Sequence, residues 1–173
     1  MLHVDLPTRN ELTTLNAARG EACLYIYVPT TPLTQDVKAS ATELANLYND
    51  AVAQLEAAGF DKRALAQMTE FVDDLRDDED FWRLQANSLA VFLTPDHNRT
   101  NRLANKLSAL VNVSDRYHLT PHMRALTYDQ SANVLAQSEN SVRLDEVSHD
   151  VAPAEIRISS LPANAASAVG KST

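Results

Sequence analysis

The stretch "ACLYIYVPT", residues 22–30, sets five β-forming side chains in one apolar run: Leu24, Tyr25, Ile26, Tyr27 and Val28. A run this short reads as a buried strand, and Pro29 and Pro32 close it. Such a strand needs covering layers, and the chain on its C-terminal side supplies helices. From about Asp36 to Ala58, Val37, Ala41, Leu44, Leu47, Tyr48, Ala51, Val52 and Leu55 recur at spacings of three and four, so they share one helical face that Gly59 is placed to stop. A second helix is expected from Asp61, an N-cap residue type, through Leu65, Met68, Phe71, Val72 and Leu75.

Farther on, "SLAVFLTP" (88–95) is a second buried-type strand over Leu89–Leu93, ended by Pro95. Shorter strands are expected at 100–103 and 110–113, and Pro121 suits the first turn of a short helix. In "ANVLAQSENSVRLDEV" (132–147), Val134 and Ala136, then Val142 and Leu144, alternate on either side of Glu139-Asn140, which reads as a β-hairpin. The fold class expected is α/β, a mixed sheet with flanking helices followed by this hairpin. From about residue 160 onward the chain is small and polar and reads as loop or disordered.

With 173 residues, 45% of them apolar, the chain has material for a sizeable core. A net charge of −8 argues against a surface devoted throughout to nucleic acid, while leaving room for a local basic patch. The single cysteine, Cys23, lies in the first strand and reads as a buried structural thiol. The N-terminus lacks a basic start with an apolar core, and no run approaches 18 apolar residues; a cytoplasmic protein with no membrane contact is expected.

Several motifs invite chemical readings. In "ANAASAVGKST" (163–173), Ala165 and Gly170-Lys171-Ser172 have the spacing of a relaxed phosphate-binding loop. Such a loop needs a strand before it and a helix after it, and neither is legible here, so nucleotide binding is not expected. The acidic run "DDLRDDEDFW" (73–82) reads as a solvated helix end, because adjacent carboxylates on a helix diverge and no second cluster joins them. His118 and His122 are four apart, but Pro121 between them disfavours one continuous helix, so no metal site is assigned. No catalytic residue and no cofactor are assigned.

One asymmetry is more informative. Between His97 and Leu126 the charged residues are Arg99, Arg102, Lys106, Arg116 and Arg124 against Asp115 alone, a local balance of +4. With Tyr117 and three histidines among them, these five basic residues are the candidate RNA or ribosome contacts.

The order of these pieces resembles the bacterial family of archaeo-eukaryotic-type release-factor homologues. The resemblance rests on Phe92-Leu93-Thr94-Pro95-Asp96 followed by Arg102-Leu103, on "VSDRYHL" (113–119) with Pro121, and on the strand pair ending Val142-Arg143-Leu144, and it covers most of residues 12–147. It implies an N-terminal α/β domain over 1–117, the start of an incomplete middle domain over 118–160, and a loop or disordered tail over 161–173. The middle domain of true release factors bears a Gly-Gly-Gln loop that promotes peptidyl-tRNA hydrolysis, whereas the glycines here are Gly20, Gly59 and Gly170, none adjacent. Relatives of twice this length also imply an N-terminal portion, and an aromatic they often carry is Asp145 here. The implied function is a non-catalytic recognition domain acting on the ribosome or tRNA in translation termination or ribosome rescue.

Two other readings compete. A small hydrolase or metabolite-binding domain would build a pocket at strand ends near Thr30 and Thr94. An assembly domain would use the unpaired edge of the 132–147 hairpin to recruit a second copy, giving a homodimer.

Overall fold

The computed structural model describes residues 3–5, 7–31, 37–127, 131–138, 140–148, 153–158, 162, 164 and 167. The chain divides into two compact units, 1–126 and 127–173. The division falls after Leu126, later than the boundary at Tyr117 taken from the resemblance.

The first unit opens with α1 (Arg9–Ala17), held at its start by a reciprocal cap in which the Glu11 amide donates to Thr8 Oγ1 at 3.3 Å and the Thr8 amide donates to Glu11 Oε2 at 2.7 Å. Strand β1 (Cys23–Pro29) follows, with every residue from Cys23 to Val28 buried. An unbroken apolar run suits this place because both of its faces are covered, and successive side chains feed two different cores.

A helical hairpin then crosses one face. Helix α2 (Val37–Ala57) is broken by Gly59, whose φ of +76° is a left-handed conformation that favours glycine. Helix α3 (Lys62–Asp77) begins at Asp61, whose Oδ2 accepts from the Ala64 amide at 2.9 Å, and a short α4 (Glu79–Arg83) begins at Asp78, whose Oδ1 accepts from the Phe81 amide at 2.8 Å. Several carboxylates of the acidic run thus have assigned partners. Asp78 caps, Asp73 and Asp77 pair with Arg76, and the run ends in Trp82, a core residue whose indole N–H donates to the Leu75 carbonyl at 2.7 Å.

Because two long helices rather than one connect β1 to β2 (Ser88–Thr94), the chain returns to the end of the sheet it left, and Pro29 lies opposite Ser88. The two strands are therefore antiparallel. The Pro95-Asp96 turn leads directly into β3 (His97–Leu103), and β4 (Leu110–Ser114) pairs with β1, giving the order β3-β2-β1-β4. Every pairing in this sheet is antiparallel, which corrects the expected mixed sheet; single-helix crossovers would have made it parallel. Strand β3 starts earlier than expected because, on a sheet edge, the polar His97, Asn98 and Arg99 can pair through backbone alone.

Strand alternation builds the two cores. Leu24, Ile26, Val28, Leu89, Val91 and Leu93 meet Leu44, Tyr48, Met68, Val72 and Trp82 of the helices. On the opposite face Cys23, Tyr25, Tyr27, Ala90, Phe92 and Leu103 meet Leu15 of α1 and Tyr117 and Leu119 from the connection after β4. Helix α5 (Thr120–Thr127) closes this unit, with Pro121 in its first turn as expected.

The second unit contains the expected hairpin, β5 (Ser131–Gln137) paired with β6 (Val142–Ser148), and a two-residue β7 (Ala154–Glu155) on the far side of β6. Glu139 at the hairpin turn and Ala165, Gly170, Lys171 and Ser172 of the phosphate-loop motif lie outside the described residues.

Candidate nucleic-acid interface

Two of the five basic candidates are set by the pairing of β2 with β3. Because residues directly opposite in an antiparallel pair share a face, Arg99 lies on the face of Phe92 and Arg102 on the face of Leu89. The two guanidinium groups therefore leave the sheet on opposite sides, although they are three residues apart in sequence. Arg99 pairs with Glu11 of α1. That carboxyl is held below its usual range first by the Thr8 backbone bond of the helix cap, and also by Arg99.

Arg102 is engaged on its own side. Its Nη1 is 3.0 Å from Asp5 Oδ2, its carbonyl accepts from the Asp5 amide at 2.9 Å, and its guanidinium carbon sits 4.5 Å from the centroid of the Phe81 ring. With its side chain only 16% exposed, it clamps the N-terminal segment and α4 against the edge strand. Lys106, in the connection after β3, is exposed and forms no ion pair with the described residues.

Arg116 and Arg124 come from the segment after β4. Arg116 forks onto the neighbouring Asp115, at 3.1 and 3.0 Å, a solvated pair in which the guanidinium lowers the Asp115 pKa. Arg124, in the last turns of α5, is exposed and makes no ion pair among the described residues. The sequence segment is thus basic in count, yet three of its five cations already have carboxylates and two of those three diverge across the sheet.

Beneath α5 lies a group that sequence did not single out as buried. His122 is wholly inaccessible, packed edge-on against Phe92 with ring centroids 5.3 Å apart, and neither imidazole nitrogen has a hydrogen-bond partner among the described residues. Burial pushes its pKa down to about 4, so it is neutral at pH 7. Phe92 also meets Tyr117 at 5.1 Å, and the Tyr27 hydroxyl donates to the His118 carbonyl at 3.1 Å. Burial raises the pKa of both tyrosines. His118 precedes the helix and is exposed, so helix initiation at Thr120 separates it from His122, as Pro121 leads one to expect.

The remaining chemical candidates turn out to be structural contacts. Cys23 is buried with its thiol pKa raised by desolvation, the opposite of what a nucleophile needs. Thr30 and Thr94, expected to line one pocket, sit at opposite ends of the sheet because β1 and β2 are antiparallel. Their hydroxyls donate to the Ala86 and His97 carbonyls at 2.9 and 3.3 Å. Two cavities touch Thr94, an apolar one of about 40 Å³ lined by Leu15, Phe92, Arg99 and Tyr117 and an open one of about 370 Å³ lined by Glu21, Phe60 and Asp96, and Thr30 lines neither. The metabolite-pocket reading is therefore set aside. No helix among the described residues is long and apolar enough to cross a membrane.

Comparison with curated proteins gives no match. Comparison with family models does: residues 129–173, the span of β5, β6, β7 and the residues after them, match bacterial archaeo-eukaryotic release factor family 11. The match lies C-terminal to the basic segment and takes in the strand pair on which the sequence resemblance partly rests, and it supports assignment of the chain to the bacterial archaeo-eukaryotic release factor family.

Proposed function

We propose that this chain is the recognition portion of a release-factor-like protein that acts in translation, positioning itself on ribosomal RNA or tRNA in termination or ribosome rescue in the cytoplasm, without itself performing the chemistry. The observation that carries the reading is the family match over 129–173, which supports a translation-related role. The basic segment supplies the chemistry of contact: guanidinium and ammonium groups bind phosphate and fix orientation without reading bases.

Geometry ranks the contacts. Lys106 and Arg124 are exposed cations without a carboxylate among the described residues, and Arg116 is 61% exposed and can exchange Asp115 for a phosphate at little cost. Arg99 can make the same exchange with Glu11. Arg102 is the exception, since moving it would release Asp5 and Phe81 together. Its proposed role is to hold the shape of the surface rather than to touch RNA.

Co-sedimentation of the 173-residue chain with bacterial ribosomes at rising salt tests the proposal. Association is expected to weaken steeply with salt, and Lys106→Glu with Arg124→Glu to weaken it further and flatten the salt slope by about one unit for each cation reversed. Association that ignores both salt and these reversals would overturn it.

A further inference from the structure

The first unit carries opposite charge on the two faces of its sheet. The helical layer that covers one face, residues 37–83, holds eleven Asp and Glu against five Lys and Arg. On the other face, Leu15 and Ala18 of the α1 segment, Leu107, Tyr117 and Leu119 of the two connections, and His122 of α5 pack on one core. The elements on this face bear six cations: Arg9 and Arg19 in the α1 segment, Lys106 beside Leu107, Arg116 beside Tyr117, Arg124 on α5, and Arg99 of β3 on the Phe92 side. Two carboxylates lie among these elements, Glu11 and Asp115. The Arg102–Asp5 pair belongs to the helical side, and Glu21 and Asp96 sit with Phe60 at the end of the sheet, in the open cavity that Arg19 also lines.

The fold also gathers cations that lie far apart in sequence. The Gly20 amide donates to the Asp115 carbonyl at 3.3 Å, which brings Arg19 to Arg116, and both guanidinium groups, Arg116 first, lower the Asp115 pKa. Arg19 Nη1 donates to the Asn16 and Ala18 carbonyls at 2.7 and 2.6 Å, so it is held in place without a carboxylate. Arg9 and Arg19 are both exposed and form no ion pair among the described residues. We propose that RNA backbone meets the first unit on the α1 and α5 face, with Arg9 and Arg19 as phosphate contacts beside the cations of residues 97–126, and with the helical layer turned away from the RNA. A polyanion is drawn to one face and repelled by the other, so charge alone sets the orientation of approach. The proposal rests on the ribosomal reading and adds to it an orientation and two residues outside the basic segment.

Binding of the 173-residue chain to bacterial ribosomes and, separately, to a short RNA duplex at rising salt tests it. Arg9→Glu with Arg19→Glu is expected to weaken binding to both probes and to flatten the salt slope by about two units. Lys62→Glu with Arg63→Glu makes the same change of charge at exposed positions of α3 and should leave the slope unchanged. A second pair, Arg9→Gln with Arg19→Gln, removes the contacts without adding repulsion and should flatten the slope equally, with a urea midpoint near that of the unaltered chain showing that the fold is kept. Equal losses from the α1 pair and the α3 pair would reduce the effect to net charge and overturn the proposal. Ribosome binding that Lys106→Glu with Arg124→Glu weakens but the α1 pairs leave intact overturns this proposal alone. If the unaltered chain ignores ribosomes at every salt, the ribosomal reading falls and the same variants on the duplex decide the face; binding to neither probe overturns both.

Discussion

The guanidinium of Arg102 lies over the Phe81 ring at 4.5 Å while its Nη1 bonds Asp5 Oδ2 at 3.0 Å, so one side chain ties an edge strand, a short helix and the N-terminal segment together. A cation over an aromatic face contributes about 0.5–1 kcal/mol, and a partly exposed ion pair up to about 1. Arg102→Ala is therefore expected to destabilise the first unit by about 1–2 kcal/mol, read as a lower urea midpoint. Arg102→Lys should recover only part of this, because an ammonium keeps the charge but not the planar stack. Lys106→Glu, which touches no such contact, should leave the midpoint nearly unchanged.

His122 predicts a pH dependence with a definite sign. Its folded pKa of about 4 lies below the usual 6.5, so between those values the unfolded chain binds the extra proton. The stability that depends on neutral His122 is complete above pH 6.5 and is lost as pH falls toward 4. From about pH 7.5 to about pH 5 the loss is about 2 kcal/mol. His122→Leu should abolish this part of the slope. Because neither imidazole nitrogen has a partner among the described residues, the same change should cost little at neutral pH and stabilise at about pH 5, an outcome a hydrogen-bonded core histidine would reverse.

Trp82 offers a test of how the acidic run is seated. Its indole N–H is the donor to the Leu75 carbonyl at the end of α3, and the residue is 2% exposed. Trp82→Phe keeps much of the apolar packing but leaves that carbonyl without this donor and opens a small void, so a loss of about 2–3 kcal/mol is expected by denaturant unfolding. Asp74→Asn, on an exposed position of the same run, should change stability by less than about 0.5 kcal/mol.

What is legible in the sequence follows from where the information sits. The buried runs 22–30 and 88–95 announce their strands, and the face from Val37 to Leu55 announces α2, because burial on a fixed period leaves a one-dimensional trace. Helix α1 also leaves a trace, the Thr8-Arg9-Asn10-Glu11 capping pattern, but its stripe buries only Leu15 and is too short to stand out. The direction of β2 relative to β1 is not legible, unlike that of the 132–147 hairpin. It depends on two helices intervening where one would give a parallel pair, a fact about three dimensions. The candidate interface suffers likewise: counting charges from 97 to 126 cannot reveal that Glu11 and Asp5 fold back onto Arg99 and Arg102, or that alternation sends those two arginines to opposite faces. Pro121 already sets His122 apart from His118 in the sequence, but only the packing of α5 on Phe92 shows it to be a buried neutral group.

The Arg99–Glu11 pair makes the ribosomal proposal testable by gain as well as loss. Glu11 serves both the helix cap and the arginine, and Glu11→Gln preserves the first role, since an amide side chain can still accept from the Thr8 backbone N–H. The carboxylate that competes with phosphate for Arg99 is then gone. If Arg99 contacts RNA, Glu11→Gln should tighten ribosome association at low salt and steepen its salt dependence by about one unit, while leaving stability within about 0.5 kcal/mol of the original. Arg99→Glu should do the reverse, and combining it with Glu11→Gln should abolish the gain. Equal binding by Glu11→Gln and the unaltered chain across the salt series would remove Arg99 from the interface and leave Lys106, Arg116 and Arg124 to carry it.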